Sequence, residues 1–277
     1  MIANARMYSV SPVAGALWRT LLSAVIARAG LAVTVIDHGE PAPIEDLWRR
    51  TDKGAVFMCG LPFSRAQPRP VLVAAPVPSP PEFGGQAQYW SDLVVRGDSD
   101  FHTVEDTFGK RIAFTVPDSQ SGCVAALTYF MTADCGYPLF GEVVAPTITP
   151  LGALNAVVRG AADVAPIDSY ALRLLREYRP DLTAQVRIVG STVPTPIPPL
   201  VASCEGVDAL QSAFLEAHQN ASIMGLMDQL LLERFTRPDP SSYAVLRDRY
   251  EAAMQYWNSH RLAGTTHPAF ATWAALY

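Results

Sequence analysis

Arg111-Ile112-Ala113-Phe114-Thr115-Val116 runs into Pro117-Asp118-Ser119-Gln120-Ser121-Gly122-Cys123, and then into Val124-Ala125-Ala126-Leu127-Thr128-Tyr129-Phe130-Met131. The first six residues read as an apolar strand and the last eight as an apolar helix. Between them the chain halts at a proline and restarts through two hydroxyls and a glycine. Such a turn offers amides to an anion, because the first N–H groups of a helix have no partner within it and the helix dipole adds positive potential there. The same residues suit a plain helix cap, since serine is a preferred N-cap residue.

Outward from this turn, strands and helices alternate. Downstream, residues 142–145, 164–167 and 186–189 read as strands, and 151–159 and 169–178 as helices. Upstream, 6–10, 31–36, 55–58, 71–75 and 92–95 read as strands. Residues 12–29 form an amphipathic helix that stops at Gly30, and 43–50 a short helix that opens with proline and acidic residues. The pattern predicts parallel sheets with crossover helices. Residues 76–85, rich in Pro and Gly, read as a loop. The run 191–200 carries too many prolines for a central strand and reads as a stiff extended crossing. After it the chain reads as helical to the end, near 207–219, 221–234 and 243–257.

This order places one unit inside another. Lobe 1 is expected from residues 1–92 and 198–277, and lobe 2 from residues 93–197. Two extended crossings, near 89–95 and 192–202, would form a hinge, and a hinge between α/β lobes places a ligand in the cleft.

The chain has 277 residues, 49% of them apolar and 17% charged, which suffices for a real core. A net charge of −5 argues against general nucleic-acid or anionic-membrane binding, though not against one small anion held by local amides. Cys59, Cys123, Cys135 and Cys204 show no C-x-x-C pair and no zinc spacing, and read as buried small apolar residues. None of the five histidines falls in a Ser/His/Asp arrangement, and P-loop, G-x-S-x-G and G-x-G-x-x-G motifs are absent. No apolar run is long enough to cross a membrane. Arg173, Arg176 and Arg179 read as a solvated helix face.

Four stretches carry a family likeness. They are Tyr89-Trp90-Ser91-Asp92-Leu93-Val94-Val95-Arg96-Gly97-Asp98-Ser99 with the following Gly109-Lys110-Arg111-Ile112-Ala113-Phe114; the Asp118-Ser119-Gln120-Ser121-Gly122 turn; the segment from Ala153-Leu154-Asn155 to Ala165-Pro166-Ile167-Asp168-Ser169; and the Pro-rich return crossing. In order and spacing they resemble the type II periplasmic binding proteins, specifically the phosphate/phosphite/phosphonate branch of ABC-transporter substrate-binding proteins. The resemblance implies an α/β, two-lobe fold with a two-crossing hinge.

It also implies that Ser119, Ser121 and Gly122 grip an oxyanion. Tyr8, Ser9 and Ser11 would contact ligand after the first strand, with Tyr89 or Trp90 near the first crossing. Asp168, at a strand end, matches a ligand-contacting position. Some phosphonate binders carry a histidine where this chain has Pro150. Gly60, at the carboxyl end of a strand, would let backbone approach a ligand or simply make a turn. Packing for the three aromatics and capping for Asp168 are the structural alternatives. A carboxylate facing an oxyanion requires the ligand to carry a proton or an amine.

The implied function is a solute receptor, not an enzyme, with no cofactor and no catalytic residue. Its partners would be a small oxyanion and a membrane permease of an ABC transporter. No nucleic acid and no membrane insertion are expected, and the receptor would act as a monomer. Its place would be the periplasm if a leader was trimmed, and the cytoplasm if Met1 is the native start. Alternatives are a cytoplasmic enzyme on the same fold, similar to menaquinone-pathway chorismate dehydratases or thiamine-pyrimidine synthases, or a soluble ligand sensor.

Overall fold

Ile2–Asn4 is the first strand, β1, with every residue buried. Residues 6–10, expected as that strand, instead hold a 3-10 turn at Arg6–Tyr8. The Asn4 side chain draws the bend, its Oδ1 accepting from the Arg6 amide at 2.8 Å. Helix α1, Pro12–Ala29, has the expected bounds. Ser11 accepts from the Ala14 amide, proline fills a position that needs no N–H, and Gly30 ends the helix at φ 65°. This computed structural model describes residues 1–132, 140–204 and 206–260.

The chain continues through β2 (Thr34–Val35), α2 (Ile44–Arg49), β3 (Lys53–Phe57), α3 (Gly60–Arg65) and β4 (Val71–Pro78). Next come β5 (Gln88–Tyr89), β6 (Ser91–Arg96), β7 (Arg111–Ala113), α4 (Ala125–Thr132), β8 (Glu142–Val144) and α5 (Pro150–Val158). Then follow β9 (Val164–Asp168), α6 (Ser169–Tyr178), α7 (Pro180–Thr183), β10 (Val186–Ser191), β11 (Thr195–Pro196) and β12 (Leu200–Ala202). The last elements are α8 (Asp208–Leu215), α9 (Ala221–Gln229), β13 (Leu232–Thr236) and α10 (Ala244–His260).

Two compact units result. The first comprises Met1–Tyr89 and Pro196–Ala244. Its sheet has the order β13-β4-β12-β3-β1-β2. β1 runs parallel to β2 and β3, whereas β12 is antiparallel to both β3 and β4, and β13 is antiparallel to β4. The expected parallel sheet is therefore corrected to a mixed one. Two further expectations fail here. Residues 76–85 are not all loop, because β4 runs on to Pro78. Its prolines are tolerated where β4 has lost β12 and pairs with β13 alone. The helix expected over 221–234 stops at Gln229, Leu231 turns the chain at φ 54°, and Leu232–Thr236 is a strand. An aromatic cluster packs this unit: Phe57 meets Tyr8 and Trp18 edge-on at 5.1 Å each, and Tyr8 stacks on Trp18 at 6.3 Å.

The second unit comprises Trp90–Thr195 and the last helix from Val245 onward. Its sheet has the order β10-β6-β9-β7-β8. β7 is parallel to β8 and β9, while β6 is antiparallel to β9 and β10. The unit boundaries at Tyr89/Trp90 and Thr195/Pro196 lie within three residues of the expected ones, but α10 goes with the second unit rather than the first. Phe130 packs edge-on against Phe140 at 4.9 Å and Phe108 at 5.7 Å. The Arg111 guanidinium and amide both bind the Asp163 carboxylate, fixing β7 to the start of β9.

Cys59 and Cys123 are buried as expected, but Cys204 is exposed, and Cys135 lies outside the described residues. Burial, helped by the charge of Asp118, pushes the Cys123 thiol well up, so it stays a small neutral packing residue. Among the described residues no helix is long and apolar enough to cross a membrane, and no group of three His, Cys, Asp or Glu side chains could hold a metal ion.

Candidate functional site

The Ser119–Gly122 turn follows β7 and divides its two hydroxyls. Ser119 is the cap: its Oγ accepts from the Gly122 amide at 3.0 Å. The amides of Val124 and Ala125 reach back five residues, to the carbonyls of Ser119 and Gln120. Gln120–Val124 is thus a π-helical turn that widens the start of α4, a feature that recurs at functional sites. Ser121 is held differently. Its carbonyl accepts from Ser91 Oγ at 2.8 Å, while its amide and its half-buried hydroxyl have no hydrogen-bond partner among the described residues. Gly122 is required for space. A Cβ there would lie 1.9 Å from Thr115 Oγ1 and 2.9 Å from Ser119 Oγ.

Neighbouring loops brace the turn. The Thr115 amide donates to the Gly122 carbonyl at 3.1 Å, and the Thr115 hydroxyl is buried without a partner among the described residues. The loop after β8 lies on the other side of Thr115. Thr147 donates to the Phe114 carbonyl through its amide and its hydroxyl, and the Ile148 amide donates to the Thr115 carbonyl at 3.3 Å. Thr149 caps α5 by accepting from Gly152 at 3.1 Å. Both loops leave the carboxyl ends of neighbouring parallel strands, where α/β sheets commonly hold ligands.

Asp168 takes the capping role. It ends β9, is 4% exposed, and its Oδ1 accepts from the Ala171 amide at 2.9 Å. It lies opposite Ser91 in the β6–β9 register, so the strand that holds the Ser121 carbonyl also passes the Asp168 carboxylate. Burial and the Asp168 charge push the Tyr170 hydroxyl well up. Trp90 is half-buried and donates its indole N–H to Asp92 at 2.8 Å. Asp92, 1% exposed, also accepts from Ser191 Oγ at 2.6 Å and pairs with Arg173 at 2.7 Å. Arg173 is therefore not part of a solvated face. It neutralises a buried acid that ties together the strands entering and leaving the unit. Ser91 and Thr192 exchange two hydrogen bonds beside it, each of 3.0 Å.

In the first unit Tyr8 is buried in the aromatic cluster, Ser9 is exposed with its hydroxyl on the Ala5 carbonyl, and Ser11 caps α1. Gly60 is buried at the start of α3. These residues follow β1 and β3, which are parallel neighbours, so both loops leave the same edge of the sheet. Tyr89 is buried, 1% exposed. Sequence reasoning missed Ser91, Thr115 and the Thr147–Thr149 loop. Each acts through a backbone partner far along the chain, and the one local signal was the hydroxyl-rich run Thr147-Ile148-Thr149 before Pro150.

Comparison with known proteins places the chain in a family and a fold. The sequence model of a family described as ABC transporter, phosphonate, periplasmic substrate-binding protein matches residues 44–243. A search of curated proteins finds no match. Among solved structures, a binding protein component of an ABC phosphonate transporter from Pseudomonas aeruginosa is 18% identical, with a TM-score of 0.75 over 99% of this chain and 92% of that one. PhnD1 from Prochlorococcus marinus, in complex with methylphosphonate, is 15% identical, with a TM-score of 0.72 over 93% and 97%. A Xanthomonas citri protein bound to chloride ion is 17% identical, with a TM-score of 0.62 over 93% and 98%. At these identities the likeness is one of fold, and these neighbours share the two-lobe α/β architecture. The family match spans well over half of the sequence, and this chain belongs to the phosphonate ABC-transporter periplasmic substrate-binding protein family.

Proposed function

We propose that the chain captures a small phosphonate-like oxyanion for an ABC transporter, and that the Ser119–Gly122 turn grips the anion. The observation that carries this reading is the division of labour between the serines. Ser119 is consumed by capping, whereas Ser121 offers an amide and a hydroxyl with no partner among the described residues, at the start of a helix. Family membership supports the ligand class, and so does the methylphosphonate bound to the Prochlorococcus protein. Fixed amides would supply affinity without a full counter-charge, because the Ser91 and Thr115 contacts set their positions beforehand. Asp168 would accept a hydrogen bond from a protonated ligand oxygen or pair with a ligand amine. In this role the chain is a monomeric receptor rather than an enzyme, and works with a membrane permease outside the cytoplasm.

Thermal-shift measurements with phosphate, phosphite, methylphosphonate, aminoethylphosphonate and sulfate test the reading. A ligand at a hundred times its Kd should add about 2.7 kcal/mol of stability. Phosphonates should shift the melting temperature and sulfate should not. An undiminished shift in the Ser119→Ala/Ser121→Ala double variant would show that the anion sits elsewhere.

A further inference from the structure

Ile148 holds a backbone conformation that its side chain disfavours. Its φ is 66°, and the Thr149 amide donates to the Thr147 carbonyl at 2.7 Å, which makes Thr147–Thr149 a γ-turn of the rare, strained hand. A β-branched residue at positive φ is a genuine outlier, and glycine or asparagine would sit there more easily. Packing does not explain the choice, because Ile148 is 47% exposed. The loop around it is over-determined. Thr147 is anchored twice to Phe114, Thr149 caps α5, and a Cβ on Gly152 would lie 2.0 Å from the Thr147 carbonyl oxygen. Strain maintained in this way marks positions kept for function.

Thr115 gives the position its meaning. Its carbonyl receives the Ile148 amide and its own amide binds the Gly122 carbonyl, so a single residue separates Ile148 from the anion turn. We propose that Ile148 is a specificity-determining residue that makes apolar contact with the carbon substituent of a phosphonate held on the Ser119–Gly122 turn. The inference rests on the function proposed above. A phosphonate presents three oxygens and one carbon group, and the oxygens take the amides and hydroxyl. An apolar side chain beside the fourth position favours carbon there. It disfavours the hydroxyl of phosphate, which would lose water without gaining a hydrogen-bond partner.

Calorimetric titration of phosphite, methylphosphonate and ethylphosphonate into the wild-type chain and an Ile148→Gly variant tests this. Glycine accepts the positive φ and little buried surface is lost, so the variant folds. The wild type should gain roughly fourfold in affinity per added carbon. Ile148→Gly should flatten that ladder, lowering the affinity for ethylphosphonate and methylphosphonate by larger factors than that for phosphite. An equal loss for all three ligands, or an unchanged ladder, overturns the role of Ile148 and leaves the anion site standing. Absence of binding by all three in the wild type overturns the anion site and the inference together.

Discussion

Ser119 and Ser121 stand two residues apart and predict opposite phenotypes. Ser119→Ala removes a cap and should cost about 1 kcal/mol of unfolding free energy, read by denaturant titration. Ser121→Ala should leave stability nearly unchanged and weaken oxyanion binding roughly tenfold, the worth of one hydrogen bond to a charged group. Gly122→Ala drives a Cβ onto Thr115 and should cost about 3 kcal/mol. Adding Thr115→Ala should recover part of that loss, since it removes two of the three nearest atoms, and a double variant no better than the single one would contradict the clash. At this scale the sequence was informative about residue types. The Ser-x-Ser-Gly signal is local, and so the turn was recognisable. Which serine caps was not, because it depends on the five-residue reach of the π turn and on Ser91, thirty residues earlier.

Elements were legible where their signal is internal. The stripe, proline and glycine of α1 gave its bounds to the residue. Strands β12 and β13 were missed because their register is written elsewhere. Leu232 pairs with Pro78 and Val201 with Leu72 and Val56, none of them near in sequence. Two charge contacts hold elements together and make predictions. Asp92→Asn removes a buried carboxylate that pairs with Arg173, itself only 13% exposed in its side chain, and should cost about 3 kcal/mol in denaturant unfolding. Replacing both partners with apolar residues should cost less than replacing one.

At the β7–β9 junction, burial pushes the Asp163 carboxyl up, but the hydrogen bonds and charge of Arg111 outweigh it and hold the group below its ordinary value. The sign follows from linkage. A depressed carboxylate contributes stability above its unfolded value of about 4, and that stability is lost as pH falls through the folded value. Unfolding midpoints measured from pH 7 downward should therefore fall more gently in Asp163→Asn than in the wild type. The difference should be modest, because the Arg111 side chain is 40% exposed and solvent screens the pair.

Over the whole molecule, a net charge of −5 opposes the approach of an anion, so the proposed capture falls to the local amides and hydroxyl of the turn. Association rates for methylphosphonate, followed by stopped-flow fluorescence, should therefore rise as salt screens the long-range repulsion. A rate that falls with salt would mean that a basic surface steers the ligand. The discontinuous organisation was legible because proline-rich and extended crossings interrupt the alternation of strands and helices. The allegiance of α10 was not, since nothing in Ala244–His260 says which unit it packs with.

Strand β12 occupies the middle of the first sheet, between β3 and β4, yet it is made long after both. A ribosome that has finished β4 at Pro78 must add 122 more residues before Leu200 emerges (200 minus 78). At ordinary elongation rates that interval lasts roughly ten seconds. Throughout it the nascent chain carries two buried-type strands whose facing edges have nothing to pair with, and such edges invite association with other chains. The order in which this sheet is written thus leaves its middle open until late in synthesis, and makes birth, rather than the finished state, the stage at which these edges are exposed to other chains.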